Sequence, residues 1–309
     1  MSSSSVLFDA PGPRARRLSL VLSIVLGIVV VGALAWLIVV LATPRVSGGV
    51  PVPAILDPSR WDIFGYTDVW VFIGGGALNT LRAAAVAAAG AIALGVVFAL
   101  LRSSDHAAIR IPVAVVMEFL RGMPVLLMML FILLIASTGA FWAVVIALVV
   151  YNGTLIGEAL RAGLVALPRG QREAALSVGM RPFQSKMLVE FPQAFRQMLP
   201  IIVAQLVVLL KDTSLGYIVG YTELIRTTMN TLASYYGNRY LFSLFAVTLA
   251  IYLAINLTLS WFARWLSRRT SSAGRSSGEA TPDPDQAILV AQASAAARRS
   301  EDGGGGIAH

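Results

Sequence analysis

Cysteine is absent from the 309 residues. That excludes a disulfide framework, thiolate zinc sites, iron–sulfur ligation and cysteine nucleophiles. Histidine occurs twice, at His106 and His309, without an H-E-x-x-H pattern, and the acids are scattered. No convergent acid–base set can be assembled from such a chain, which argues against an enzyme. Lysine is as rare: neither Lys186 nor Lys211 follows a glycine, so there is no Walker A loop and no ATP site of that kind. Charge is scarce as well. Charged residues make up 13%, where a soluble domain carries about 25%. What fills the chain instead is apolar, 57% of it, with a mean hydropathy of +0.76. No single soluble core could hide that much apolar surface, so the chain is read as an all-α polytopic membrane protein.

A helix needs about 20 apolar residues to cross a bilayer core. Leu18 to Pro44 carries no charge at all. It is too long for a signal-peptide core and lacks a clean A-x-A site followed by a soluble protein, so a membrane helix over 18–42 is expected. A second uncharged run covers Ala83 to Leu101. Gly122 to Gly157 is too long for one span and divides at Ser137-Thr138-Gly139, with the first of its helices expected to begin near Ile111 and to carry Glu118 and Arg121. A fifth span is read over about 197–222, interrupted at Lys211-Asp212, and a sixth over 240–263. Six spans result.

The net charge of +8 would suggest nucleic acid in a soluble protein; here its position matters more. With an amino terminus inside, segments 1–17, 102–110, 157–196 and 264–309 hold 17 basic residues, against 4 in 43–70, 137–141 and 221–239. That bias places both termini in the cytoplasm and leaves no role for nucleic acid. The expected organisation is a cytoplasmic terminus (1–17), a first helix (18–42), an extracytoplasmic loop (43–70) with interfacial aromatics, a core domain (71–268) and a disordered tail (269–309).

The longest polar interruption, 157–196, carries the most specific pattern. Glu173-Ala174-Ala175 is followed by Gly179, then by Val189-Glu190-Phe191-Pro192. This reads as two short helices around a glycine turn. Ala174 and Ala175 permit close approach of a partner, Gly179 suits a positive φ, Pro182 suits the first turn of the second helix, and Pro192 is expected to stop it.

That spacing resembles the EAA loop of permease subunits of bacterial ABC importers. Further likenesses to the polar amino-acid group run over roughly 72–268: Gly76-x-x-Asn79-Thr80-Leu81, Glu118-x-x-Arg121-Gly122-Met123-Pro124, Leu167-Pro168-Arg169-Gly170-Gln171 and Leu209-Leu210-Lys211-Asp212-Thr213-Ser214-Leu215. The nearest placement is with actinobacterial glutamate permeases. Met123 departs from the pattern, since the family often has a small polar residue there. The resemblance implies an extra helix, 18–42, ahead of a five-helix core in a bacterial plasma membrane. It also implies an ATPase dimer that binds the ATP, a second permease subunit (identical or paralogous), an extracytoplasmic binding protein, and a docking role for Glu173, Ala174, Ala175, Gly179 and Pro192.

Charges inside spans are costly and point to function or pairing. Arg82 and Arg121 have a structural reading, snorkelling or pairing, Arg121 with Glu118 on one helix face. Lys211 and Asp212 are adjacent and cannot pair neatly along a regular helix; with Thr213, Ser214, Gly216 and Gly220 after them, a local helix break is expected. A zwitterionic amino acid needs an acceptor for its ammonium, which Asp212 supplies, and donors for its carboxylate, from Thr213, Ser214 and the backbone around Gly122. Glutamate needs a further cation, Lys211 or Arg121. Glutamine, arginine or another polar amino acid stays open as substrate. An ion-coupled secondary transporter is the rival class, but no inverted repeat is visible.

Overall fold

The computed structural model describes residues 12–47 and 50–271. The expected tail lies mostly outside these residues, as does most of the expected cytoplasmic terminus. Helix α1, Pro13–Ala42, opens on a proline whose missing N–H costs nothing in a first turn. Its side chains from Leu18 to Val39 are exposed on every face, and that suits a helix whose only solvent is lipid. A short antiparallel ribbon follows, β1 (Arg45–Ser47) against β2 (Val50–Val52). Helix α2, Thr67–Arg102, has 36 residues. At 1.5 Å per residue it is about 54 Å long, well beyond the thickness of a bilayer core.

Helices α3 (Ala107–Gly122) and α4 (Val125–Ala136) take the place of the single helix expected from near Ile111. The chain leaves helical geometry at Met123 (φ −84°, ψ 130°) and Pro124 (φ −59°, ψ 128°). Proline clashes with a helical residue before it, so the helix stops there. Ser137 and Gly139, both at positive φ, separate α4 from α5 (Ala140–Val165), where a division was expected. After α6 (Arg169–Ser177) and α7 (Pro182–Ser185), a wide π turn over Lys186–Glu190 leads into α8 (Phe191–Asp212). The chain then tightens into a 3-10 turn, Thr213–Tyr217, which is the break expected at Lys211-Asp212. Another π turn, Arg226–Leu232, precedes α9 (Ala233–Tyr236) and the long α10 (Leu241–Ser271). Among the described residues, five helical segments are long and apolar enough to span a bilayer, and the broken α3–α4 pair makes a sixth if it counts as one span.

The described residues form two compact units: one of residues to Ala88, Pro124–Leu148 and Leu209–Asn256, the other of Ala89–Met123, Val149–Val208 and residues from Leu257. The core of the first joins Ile63, Val69 and Ile73 to Leu224, Leu232, Ala233, Tyr240 and Leu244. The segment before α2 is therefore more than an interfacial strap: Ile63 is 1% exposed, and Trp70 Nε1 donates to the Phe64 carbonyl at 2.8 Å. In the second unit α2 and α5 meet backbone to backbone. A Cβ on Gly95 would fall 3.2 Å from the Gly153 carbonyl oxygen, and one on Gly157 would fall 3.1 Å from that of Gly95. Small residues at such seams let dispersion replace the hydrophobic drive that lipid removes. Fully buried Asn152 accepts a 2.8 Å bond from Gln205 Nε2 and ties α5 to α8.

Candidate substrate and coupling sites

In the first unit the motif at the start of α2 acts as a clamp on residues 221–227. Asn79 Nδ2 donates to the Thr222 carbonyl at 2.9 Å, and the Tyr221 hydroxyl donates to the Asn79 carbonyl at 2.8 Å. Thr80 Oγ1, fully buried, accepts from the Leu224 N–H at 3.1 Å. Gly76 leaves just enough room for Leu224 and Thr227.

The clamped segment holds Glu223, which sequence reasoning counted only among loop residues. Its side chain is fully buried. The carboxylate accepts from the Ile225 N–H (2.9 Å), the Arg226 N–H (2.7 Å) and the Tyr252 hydroxyl (2.7 Å). Two of these donors belong to the first turn of the helical stretch after it, where amides lack intrahelical partners and negative charge is favoured. The Arg226 guanidinium completes the turn by donating to the Tyr217 carbonyl at 3.0 Å. The sequence signal for Glu223 is the absence of any base within two residues of it on either side.

Four of the expected substrate residues sit at the helix-to-3-10 transition of this unit. Asp212 is half-buried, and among the described residues no hydrogen bond or ion pair holds its carboxylate. Thr213 is fully buried and donates to the Leu210 carbonyl at 2.7 Å. Lys211 and Ser214 line a cavity of about 330 Å³. The rest of that cavity is chiefly apolar, with Met229, Phe245, Leu249 and Leu253, and Asp212 is not among its lining residues. Arg82 is exposed, its guanidinium 5.9 Å from the centre of the Phe141 ring. That is within cation–π range.

Arg121 and Gly122 belong to the second unit. Arg121 pairs with Glu118 at 2.5 Å, as their spacing predicts, and Arg161 pairs with Glu158 in the same i,i+3 relation at 2.6 Å. Arg102, Glu118, Arg121, Thr154 and Glu158 surround a cavity of about 30 Å³, room for roughly one water. Two arginines and two glutamates balance around this cavity. Gly122 is exposed beside the break at Met123.

The expected coupling residues also lie in this unit. Glu173, Ala174 and Ala175 are on α6, with Ala175 buried and the other two exposed. The helix ends at Val178, and Gly179 turns the chain at φ +86°, as its position predicts. The Met180 N–H closes the turn on the Ala175 carbonyl at 3.2 Å, a 6→1 bond of the kind that ends helices on glycine. Pro182 begins α7. Pro192 departs from expectation, because it does not stop the helix. It is the second residue of α8, directly after the π turn, where the Phe191 N–H reaches back five residues to the Lys186 carbonyl. The wider turn shifts the hydrogen-bond register just before the proline, so its missing N–H is absorbed without a break. Val178, Phe183 and Leu188 are 75%, 69% and 68% exposed.

The model of the binding-protein-dependent transport system inner membrane component matches residues 91–272, more than half of the chain. The chain belongs to that family. It is a membrane-embedded transport component and not an enzyme. The family match takes in the α6–α8 segment and Lys211 to Ser214, and leaves α1 outside. A glutamate transport system permease protein, GluD of Corynebacterium glutamicum, is 36% identical over 63% of this chain and 74% of its own length. A probable glutamine ABC transporter permease protein, GlnP of Bacillus subtilis, is 32% identical over 56% of this chain and 82% of its own. Among solved structures, an amino acid ABC transporter crystallised with histidines matches with a TM-score of 0.60 and 29% identity, over 68% of this chain and 98% of that one. Permeases of this family work with an ATPase and a binding protein.

Proposed function

We propose that the chain is the permease of an ATP-driven importer for a polar amino acid, glutamate first, in the bacterial plasma membrane with both termini cytoplasmic. The observation that carries this reading is Asp212: a half-buried carboxylate beside the charge of Lys211, held by no hydrogen bond or ion pair among the described residues, where α8 gives way to a 3-10 turn. An unpaired acid at membrane depth is costly unless a cationic ligand meets it, and a substrate ammonium is such a ligand. Ser214 and the backbone N–H groups of the turn serve the carboxylate. Lys211 serves a glutamate side chain. Thr213, fully buried, shapes the turn by its bond to Leu210 instead of serving as a donor to the carboxylate. The relatives include both a glutamate and a glutamine permease, so glutamine or another polar amino acid remains the second reading of the same site.

Glu173 to Pro192 serves as the ATPase dock. Three large apolar side chains stand exposed around the Gly179 turn, outside the core of the unit, and such a patch marks a protein interface. Two ATPase chains and a second permease complete the assembly, and the permease moves its site between the two sides as the ATPases close.

The deciding experiment is uptake of labelled glutamate by the reconstituted transporter with ATP, using unlabelled glutamine, arginine and aspartate as competitors. Competition by aspartate alone supports the glutamate reading. Competition by glutamine or arginine moves the assignment to a broader substrate. Uptake that persists without ATP but follows an ion gradient would overturn the importer reading.

A further inference from the structure

The loop between α2 and α3 is gripped from both sides of the Gly179 turn. On one side Arg172 of α6 reaches Asp105 at 3.9 Å. On the other, the Lys186 ammonium, first residue of the π turn, donates to the Ser103 carbonyl at 2.5 Å. Ser103 directly follows the last residue of α2, and its own N–H still bonds the Ala99 carbonyl at 3.0 Å. Its carbonyl is thus one of those that a helix leaves unpaired at its end, where the helix dipole is negative and a cation is favoured. The next carbonyl, that of Ser104, takes the Arg110 guanidinium at 3.4 Å. Lys186 therefore supplies from the α7–α8 segment what the end of α2 lacks.

The two grips are not equal. Arg172 and Asp105 are 46% and 65% exposed, and water and salt screen such a pair. Lys186 is half-buried, so its bond is screened less. It also stands at a turn already held by a second buried link, Ser185 Oγ to Glu190 Oε1 at 2.9 Å. Wide turns of this kind recur in helices at functional positions.

We propose that Lys186 is a positioning residue that binds the ATPase-docking segment to the end of α2, so that the α2–α3 loop moves as one piece with that segment. This rests on the docking role of the Gly179 turn. A push on the turn then reaches α2 directly, as well as α8 through the chain. Lys186 acts through Ser103 and touches neither substrate nor ATP.

The test uses the complete transporter, with its ATPase and binding protein, in proteoliposomes. Lys186→Met keeps the length and removes the charge. It should retain the bound ATPase while ATP consumed per amino acid imported rises five- to tenfold, a normal size for a lost coupling between sites. Lys186→Arg should restore the ratio. A wild-type ratio in Lys186→Met overturns the proposal, as does loss of the ATPase from that variant, which would make Lys186 part of the ATPase contact itself. Because the chain has no cysteine, a Ser103→Cys, Lys186→Cys pair can be bridged by a short bifunctional thiol reagent. The unbridged pair should be uncoupled and the bridged pair coupled again. A bridge that forms and blocks import shows that the two elements must part, and failure to form one shows that they are not neighbours; either sinks the idea. The docking role itself is read separately in Phe183→Asp, where normal ATPase binding would discard that role whatever Lys186 does.

Discussion

Gly76 lies against Thr227 so closely that a Cβ on the glycine would sit 2.9 Å from the threonine hydroxyl oxygen, and 3.0 Å from the Leu224 Cα. One of those neighbours is backbone, held by Thr80 through the Leu224 N–H, so it cannot step aside. Overpacking of this kind costs about 1–3 kcal/mol. Gly76→Ala should lower the melting temperature of the purified protein in detergent, and Gly76→Val should lower it further. Equal melting temperatures for all three would show slack where the structure has none.

Glu223 and Tyr252 form the second pair to test. Tyr252→Phe removes one donor from a carboxylate that keeps two amides, a loss of about 1.5–3 kcal/mol for a bond to a charged group. Glu223→Ala orphans both amides and should destabilise more. Glu223→Gln, which can still accept, should fall between. Thermal unfolding of the three variants gives the order, and a Gln variant worse than Ala would contradict the account of Glu223 as an acceptor.

At Gly179 the expected damage is conformational. Nothing lies within 4 Å of a Cβ placed there, yet φ is +86°. A side chain at positive φ costs about 1–2 kcal/mol. Gly179→Val should insert in the membrane at normal levels and lose most ATP-driven uptake, while Gly179→Asn should keep more of it because asparagine tolerates this backbone region. Full uptake by the valine variant would remove the turn from the coupling path.

Asp212→Asn keeps the shape and discards the charge. Substrate affinity should weaken by about ten- to a hundredfold, consistent with loss of a charge-assisted bond of roughly 1.5–3 kcal/mol, while the complex still assembles. Uptake kinetics with an unchanged half-saturation point would move the ammonium site elsewhere.

The spans were legible because bilayers demand long uncharged runs, and those runs stand out between arginines. The i,i+3 pairing of Glu118 with Arg121 and the positive φ of Gly179 were legible for the same local reason: each depends on a few neighbouring residues. The interruption at Met123–Pro124 was harder, because apolar residues continue on both sides and only one proline marks it. Pro192 misled because the turn that rescues it is a hydrogen-bond register, invisible in residue types. Glu223 was missed because a carboxylate in a loop ordinarily meets water; its donors come from the turn that it caps and from Tyr252, 29 residues later. Asn152 and Gln205 escaped for a like reason, since their pairing exists only once two helices have packed.

The first helix has a different consequence. Among the described residues its side chains from Leu18 to Val39 are all exposed, so selection can act there on oiliness and length and hardly at all on side-chain shape. It should be interchangeable with another greasy stretch of equal length, whereas the seam at Gly76 accepts no substitute. Within one polypeptide, drift is then free at one end and forbidden a few turns into the next helix.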